Sequence, residues 1–262
     1  MKKKIYIVLL LLMITISLYL LNKYIDEKDK AEKAKEIVNN NARVIDGVLK
    51  DENVINYDSE LIIDIDSNSN INYKMLSKSV LDKLNKENAT DKIIAYLDTG
   101  EKGIREIVAH DPDSDFYDRK DIHGNYDHGG TVFLYKFNNS PLDPYTTYFG
   151  HNMLNGTRFS KINDYEKNKD YLQIAYLFTY EGIIKYKLVS VAKVNDRWYN
   201  EKPTWNKQGV KEYFEEVSKN AEIMENKEGY LEEDQYMFLS TCFGNYGESK
   251  VVAVYRLIEH LK

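Results

Sequence analysis

The residue best suited to covalent chemistry is Cys242, the only cysteine in this chain of 262 residues. It follows an apolar segment that ends in two hydroxyl residues, and it precedes a loop with glycines at 244 and 247. A thiol at the end of a strand and beside a loop is open to a substrate, and nearby cations raise the population of its nucleophilic thiolate. The alternative interpretation is a buried cysteine that acts as a small hydrophobic side chain.

A histidine stands in a similar position earlier in the chain. His151 follows Gly150 directly after a predicted strand at 145–149. Because imidazole exchanges protons near neutral pH, His151 is a candidate general acid and base for the thiol. A structural or merely solvated histidine is the alternative. No clear strand end presents the other histidines, which are His110, His123, His128 and His260.

Two cations that follow the cysteine could stabilise a thiolate or an oxyanion. Lys250 opens an apolar strand, and Arg256 lies six residues further along on the same strand face. Six residues at about 3.3 Å each separate them by about 20 Å, so the two cannot do the same work. The sequence leaves open which of them acts.

The elements that must position these residues are mainly strands. After residue 91, β-branched and aromatic segments alternate with turn residues. They predict strands at 93–97, 106–108, 131–137, 145–149, 171–178, 183–194, 235–239 and 251–258. Helical spacing predicts one helix at 74–87 and a late helix at 207–221. The predicted fold is therefore mainly β: a closed barrel of about eight strands with N-terminal helices and a late inserted helix.

The N-terminus has the composition of a membrane anchor. Three lysines precede an apolar run from residue 5 to residue 21, which is at the short end of a bilayer span. No small-residue cleavage site follows, so residues 1–25 predict an uncleaved signal-anchor. The lysines place the N-terminus inside the cell, which predicts a single-pass protein of the cell membrane with an extracellular catalytic domain. Residues 26–90 predict a helical stalk and N-terminal helical region, in which asparagines at 39–41 favour a break, and residues 91–262 predict the barrel.

The overall charge argues against one class of partner. The net charge is −6, and beyond the N-terminal lysines no basic block stands apart from neighbouring acidic residues. Nucleic-acid binding is therefore not expected.

The two candidate sites together resemble the sortase family, and class B sortases in particular. The resemblance rests on Gly-His-Asn-Met at 150–153 and on Leu-Ser-Thr-Cys at 239–242, followed by a basic residue and an apolar strand. The inserted helix and the N-terminal anchor are similar to that class as well. The similarity covers about residues 91–260.

The resemblance implies a sortase-type barrel that brings His151 and Cys242 together, with an arginine at the start of the next strand. This chain departs from the pattern, because the matching position is Lys250. Lysine supplies a point charge without the planar fork of arginine, so Arg256 is kept as the alternative. A second departure is Phe238, where the family has threonine, and it is expected to alter packing in the groove.

The activity implied is that of a cysteine transpeptidase. Cys242 would attack a carbonyl in the sorting-signal peptide of a secreted protein, and His151 would exchange protons with the leaving amine and with an incoming peptidoglycan amine. Asn152, Ser240 and Thr241 would bind the substrate, with ordinary strand-end hydrogen bonding as the alternative. This chemistry needs no metal or cofactor, so none is expected. Two other functions stay open: a hydrolytic cysteine peptidase and a catalytically weak or inactive sortase-like domain that binds wall proteins.

Overall fold

The computed structural model describes residues 2–51, 71–220, 229–243 and 249–262. Parts of four predicted segments lie outside these described residues. They are residue 1 of the anchor, residues 52–70 of the helical region, residue 221 at the end of the late helix, and the loop at 244–248 after Cys242.

The chain begins with one long helix, α1 (Lys2–Asp51). Within the described residues it is the one helix long and apolar enough to cross a membrane, and its apolar run is fully exposed. The break predicted at residues 39–41 is wrong. Asn41 is buried there, and its side-chain oxygen accepts a hydrogen bond of 2.8 Å from Asn88. An asparagine weakens a helix by only about 0.7 kcal/mol relative to alanine, which this packing offsets.

The second helix, α2 (Tyr73–Glu87), confirms the helix predicted at 74–87. Asn72 caps its N-terminus by accepting a hydrogen bond of 2.9 Å from the N–H of Met75. Its apolar face packs against α1 and the outside of the barrel, and includes Leu76, Val80 and Leu84. The two helices thus form a layer on one side of the barrel.

Within the described residues, eight strands form a closed barrel, which confirms the predicted fold. The strands are β1 (Ala95–Asp98), β2 (Arg105–His110), β3 (Val132–Leu134), β4 (Tyr145–Phe149), β5 (Ile174–Thr179), β6 (Gly182–Asn195), β7 (Tyr236–Cys242) and β8 (Ser249–Leu261). Their order around the barrel is β1-β2-β3-β4-β7-β8-β6-β5. The β2–β3 and β4–β7 pairs are parallel, and the other neighbours are antiparallel. The β4–β7 contact joins strands that are far apart in the chain.

The two faces of the barrel wall are both packed. The interior cluster takes residues from all eight strands, among them Leu97, Tyr148 and Leu239. On the outside, one cluster lies beneath α1 and α2 and another lies beneath the connection between β6 and β7. Alternate residues of a strand therefore have distinct surroundings.

The connection between β6 and β7 carries α5 (Asp196–Glu201) and α6 (Lys207–Asn220). The second of these begins where the late helix was predicted. Its apolar residues pack on the outer face of β7 and β8, and include Val210, Tyr213 and Phe214. Two single-turn helices that the pattern does not predict, α3 (Ser160–Asn163) and α4 (Tyr165–Asn168), lie between β4 and β5.

Candidate active site

His151 and Cys242 occupy the ends of two neighbouring parallel strands. Phe149 pairs with Ser240 across β4 and β7, and the N–H of Gly150 donates to the carbonyl oxygen of Ser240 at 3.2 Å. His151 and Cys242 each lie two residues further along, so the register assigns them adjacent positions on one face. His151 lies two residues beyond the end of β4, so the register continued past Phe149 places the backbones of His151 and Cys242 about 4.8 Å apart, the spacing of neighbouring strands.

This face is the outside of the barrel. Leu239 points into the interior cluster, whereas Phe238 packs beneath the β6–β7 connection. Side chains alternate along a strand, so Cys242 shares the outer face with Phe238. Cys242 is partly exposed. The thiol is therefore presented toward the surface and is not enclosed in the interior.

Lys250 lies directly across from Cys242 on β8. The N–H of Phe243 donates to the carbonyl oxygen of Ser249 at 2.8 Å, which makes Cys242 and Lys250 a pair without mutual backbone hydrogen bonds. In such pairs the Cβ atoms are about 5 Å apart and the side chains share a face. The ammonium group is thus carried on the same face as the thiol.

Two groups surround the ammonium group of Lys250. Its Nζ is 3.1 Å from Oδ1 of Asp196, at the start of α5. It also lies 5.7 Å from the centre of the Phe149 ring. The side chain is only 15% exposed, so solvent weakens its field less than that of a surface lysine. Lys250 is a partly neutralised cation beside the strand end that precedes His151.

The imidazole of His151 is held by Asp118, which lies in the 3-10 turn Phe116–Arg119. Its Nε2 is 2.8 Å from the backbone carbonyl oxygen of Asp118 and 3.2 Å from Oδ1 of the same residue. A carbonyl oxygen can only accept, so Nε2 carries the hydrogen in this arrangement. The hydrogen bond from His151 lowers the pKa of the Asp118 carboxyl, the charges of Arg119 and Lys250 lower it further, and partial burial opposes them.

A buried ion pair fixes the loop that follows His151. The backbone N–H and Nη1 of Arg158 donate to the two carboxylate oxygens of Glu106 at 2.6 and 2.8 Å, and Glu106 is only 2% exposed. Nε of Arg158 donates to the carbonyl oxygen of Gly130 at 2.8 Å. The N–H of Phe159 donates to the carbonyl oxygen of His151 at 3.1 Å. These bonds tie the loop to β2 and to the segment before β3.

Gly150 is required by close packing rather than by its backbone conformation. A Cβ atom at this position would lie 2.9 Å from the Phe159 ring and 3.1 Å from Val132. The glycine lets the end of β4 pack directly against the returning loop. His151 is the next residue, so this contact also fixes the position of the backbone from which the imidazole extends.

The three candidate substrate-binding side chains differ in accessibility. Asn152 is partly exposed and pairs through its backbone with Arg158. Ser240 is 1% exposed beneath the β6–β7 connection, and Thr241 is 2% exposed on the inward face of β7. The hydroxyls of Ser240 and Thr241 are therefore not offered to a substrate, because both faces of β7 are covered at these positions.

Arg256 lies far from the thiol. It pairs with Tyr236, the first residue of β7, whereas Cys242 is the last residue of that strand. One of its guanidinium nitrogens is 3.4 Å from Oδ2 of Asp234. About 20 Å of strand separates this position from Lys250. The structure thus brings Lys250, and not Arg256, to the level of Cys242.

Two residues at the site, Asp118 and Asp196, carry no signal in the sequence. Both are acidic residues among 42 in the chain, and neither belongs to a local motif. They reach the site because the barrel brings their segments to the ends of β4 and β8. In the part of the chain that the structure describes, no group of three or more His, Cys, Asp or Glu side chains is arranged to hold a metal ion.

Comparison by sequence finds one curated relative of interest. No family model matches the chain. Sortase B of Listeria monocytogenes is 28% identical over 171 residues, which cover 62% of this chain and 65% of the relative. The match therefore spans slightly less than two thirds of the relative's length.

Comparison by structure finds the same class. A Staphylococcus aureus sortase B–substrate complex superposes with a TM-score of 0.56 at 21% identity, over 72% of this chain and 92% of that chain. A sortase B complexed with triglycine superposes with a TM-score of 0.62 at 18% identity, over 88% of this chain and 99% of that chain. The barrel and its inserted helices are therefore the fold of these proteins.

Proposed function

We propose that this chain is a cysteine transpeptidase of the sortase family, class B, to which its sequence and its fold are similar. It would cleave a C-terminal sorting signal of secreted proteins and join them to an amine of the cell wall. One observation carries the proposal: the register puts Cys242 between His151 on one side and Lys250 on the other, all on one outer face. A nucleophile, a proton carrier and a cation are thereby combined at one point.

In the first half of the reaction, the Cys242 thiolate attacks a backbone carbonyl carbon of the sorting signal. A carbon–sulfur bond forms, the peptide carbon–nitrogen bond breaks, and His151 gives a proton to the leaving amine. Charge that develops on the carbonyl oxygen faces the Lys250 ammonium group, which stabilises it most where water is partly excluded.

In the second half, an amine attacks the thioacyl carbon of the intermediate. His151 takes a proton from this amine, and the sulfur of Cys242 leaves as a thiolate. One peptide bond is exchanged for another, so the balance requires no oxidant, metal or other co-reactant.

We assign Asp118 a positioning role in this cycle. Its backbone and carboxylate oxygens both engage Nε2 of His151, which leaves Nδ1 as the nitrogen that exchanges protons with the thiol and the amines. Because the tautomer and the orientation of the His151 ring are fixed beforehand, less entropy is lost when the reactive geometry forms.

The proposal gives the cationic role to Lys250 and not to Arg256. Lys250 is paired with Cys242, whereas Arg256 is about 20 Å along the strand. An ammonium group offers a point charge where the family pattern has a planar guanidinium. Asp196 limits its movement, so its effect on the substrate is mainly electrostatic.

The partners are proposed on the basis of the relatives. One solved sortase B is a complex with substrate and another is a complex with triglycine, which supports a peptide substrate and an amine acceptor for this chain. The exposed apolar run of α1 supports a single-pass membrane anchor. We propose residues 1–25 as the anchor, 26–90 as the stalk and helical region, and 91–262 as an extracellular catalytic barrel.

A ligation assay distinguishes transpeptidation from hydrolysis of the sorting peptide. The full chain in detergent is incubated with a library of candidate sorting peptides, with and without triglycine, and the products are identified by mass spectrometry. A ligated product that needs triglycine, and that Cys242→Ala abolishes, is the expected result. Cleavage without ligation would instead identify a cysteine peptidase. Peptide binding without cleavage, together with an unreactive thiol, would identify a binding domain.

A further inference from the structure

Arg158, in the loop that follows His151, has a backbone conformation that favours glycine. Its φ is +58°, and in the described part of the chain only one other residue besides the glycines has a positive φ. A residue with a Cβ atom is disfavoured in that left-handed region. Arg158 is also only 8% exposed, and a buried arginine is rare unless it is paired. Both features indicate that specific contacts hold this residue in place.

The carboxylate of Glu106 supplies the first of these contacts. One of its oxygens accepts from the backbone N–H of Arg158, and the other accepts from Nη1 of the same residue. Glu106 lies in β2, where it pairs with Leu97 of β1. The backbone and the side chain of Arg158 are therefore both attached to one buried group in the barrel wall.

The backbone of Arg158 is connected to His151. Arg158 and Asn152 form an isolated antiparallel bridge, and the N–H of Phe159 donates to the carbonyl oxygen of His151 at 3.1 Å. His151 lies beyond the end of β4, which is at Phe149. The pairing of residues 151–152 with residues 158–159 thus holds the backbone of His151 after the strand has ended.

The guanidinium group of Arg158 is connected to Asp118. Its Nε donates to the carbonyl oxygen of Gly130 at 2.8 Å, and its Nη2 is 3.5 Å from Oδ2 of Asp127. Gly130 has a φ of +55°, and a Cβ atom there would collide with the carbonyl oxygen of Asp118. That oxygen is the one 2.8 Å from Nε2 of His151. The guanidinium group therefore holds the segment against which this oxygen packs.

We propose that Arg158 is a positioning residue that keeps His151 and Asp118 aligned with each other. Its backbone fixes the position of the imidazole, and its side chain fixes the oxygen that the imidazole binds. The Nε2 hydrogen then stays on Asp118, and Nδ1 stays free to exchange protons. This inference rests on the proposed function, because the alignment matters only if His151 carries protons for Cys242. Arg158 acts through His151 and not on the substrate.

The test is Arg158→Lys, which keeps the charge but replaces the planar fork by a single ammonium group. The matched control is Arg105→Lys, because the side chains of both arginines are 9% exposed and both pair with a buried carboxylate. The hydrogen bonds of Arg105 go to Asp98 of β1 and to α1, and not to the loop at 151–159.

The full chain in detergent is assayed for ligation of a sorting peptide to triglycine. Arg158→Lys is expected to lower kcat by about 10- to 100-fold and to change KM by less than about threefold, because misalignment acts on the transition state. Arg105→Lys is expected to change kcat by less than about threefold. Thermal unfolding shows that both variants are folded at the assay temperature. Equal losses of kcat in the two variants would overturn the proposal.

A second measurement does not depend on transpeptidation. The tautomer of His151 is read by 15N NMR of labelled histidine at a pH where the ring is neutral, and a His151→Gln variant assigns the signal. The hydrogen is expected on Nε2 in the natural chain and in Arg105→Lys, and on both nitrogens in exchange in Arg158→Lys. An unchanged tautomer in Arg158→Lys would overturn the proposal even in a chain that ligates nothing.

Asp127→Asn is a milder variant that serves if Arg158→Lys does not fold. It removes the charge that faces Nη2 of Arg158 and keeps an oxygen for the N–H of Gly129, which binds Asp127 at 3.0 Å. The carboxylate is 21% exposed, so its loss leaves the buried pair with Glu106 intact. We expect kcat to fall by about threefold and the tautomer to shift in the same direction as in Arg158→Lys. A natural kcat together with a natural tautomer would contradict the role of Arg158.

Discussion

Lys250 faces Cys242 across the β7–β8 pair, whereas Arg256 faces Tyr236 six residues further along the same strand. The arginine on this strand therefore lies about 20 Å from the level of Cys242, and a lysine occupies that level. Strand register, not residue type, decides which of the two cations lies beside the thiol.

Replacing Lys250 by alanine is expected to lower kcat/KM by about 100-fold or more, because it removes a charge aimed at the developing oxyanion. The matched control is Arg256→Ala, a cation on the same strand paired with Asp234. It is expected to change kcat/KM by less than about threefold, because an ion pair far from the thiol and near the surface contributes little. The measurement is steady-state ligation of a sorting peptide to triglycine. Equal losses in both variants would contradict the assignment.

Asp118→Asn is expected to lower kcat by about 10-fold with little change in KM, because the His151 ring loses the negative charge beside Nε2 while it keeps the backbone carbonyl oxygen. Asp118→Glu, which keeps the charge, is expected to recover most of the lost kcat. Steady-state ligation of a sorting peptide to triglycine measures both variants. Equal losses of kcat in the two variants would contradict the positioning role of the carboxylate.

The same aspartate makes a prediction about stability and pH. The pKa of Asp118 is lowered in the folded protein from an ordinary value of 3.8. A carboxyl group whose pKa is lower in the folded than in the unfolded protein stabilises the fold at pH values above its unfolded pKa. It loses that contribution as the pH falls through its lower pKa in the folded protein. The difference in Tm between the natural chain and Asp118→Asn should be present at pH 6 and vanish near about pH 2. A difference that stays constant over this range would rule out the carboxylate as its source.

Gly150→Ala tests the packing that positions His151. The added methyl group meets the Phe159 ring at 2.9 Å, so we expect a loss of stability of about 1–3 kcal/mol and a lower kcat. The matched control is Gly47→Ala in α1, where no atom lies within 4 Å. This control should stabilise the helix by about 0.5–1 kcal/mol. Thermal unfolding and the ligation assay measure both variants, and equal Tm values would refute the close-packing argument.

Local pattern was sufficient to identify the eight strands and the longer helices, but not the short helices α3, α4 and α5. The strand at Tyr145–Phe149 has the predicted bounds, Cys242 is the last residue of its strand, and His151 follows the end of its strand by two residues. These elements are indicated by the alternation of apolar residues, by turn residues and by the apolar run near the N-terminus. Each of these signals involves only residues that are close together in the sequence, so each can be recognised from the sequence alone. The break expected at residues 39–41 failed because buried Asn41 binds Asn88, a contact between distant residues.

The sequence by itself predicted a candidate nucleophile, a candidate proton carrier and a barrel of strands to carry them. Only the tertiary structure decided that Lys250 pairs with Cys242, that Asp118 holds His151, and that Ser240 and Thr241 are buried. These outcomes depend on strand register, and a slip of one residue would turn every side chain to the opposite face. Register is set by packing between segments that are far apart in the chain, so no local pattern records it.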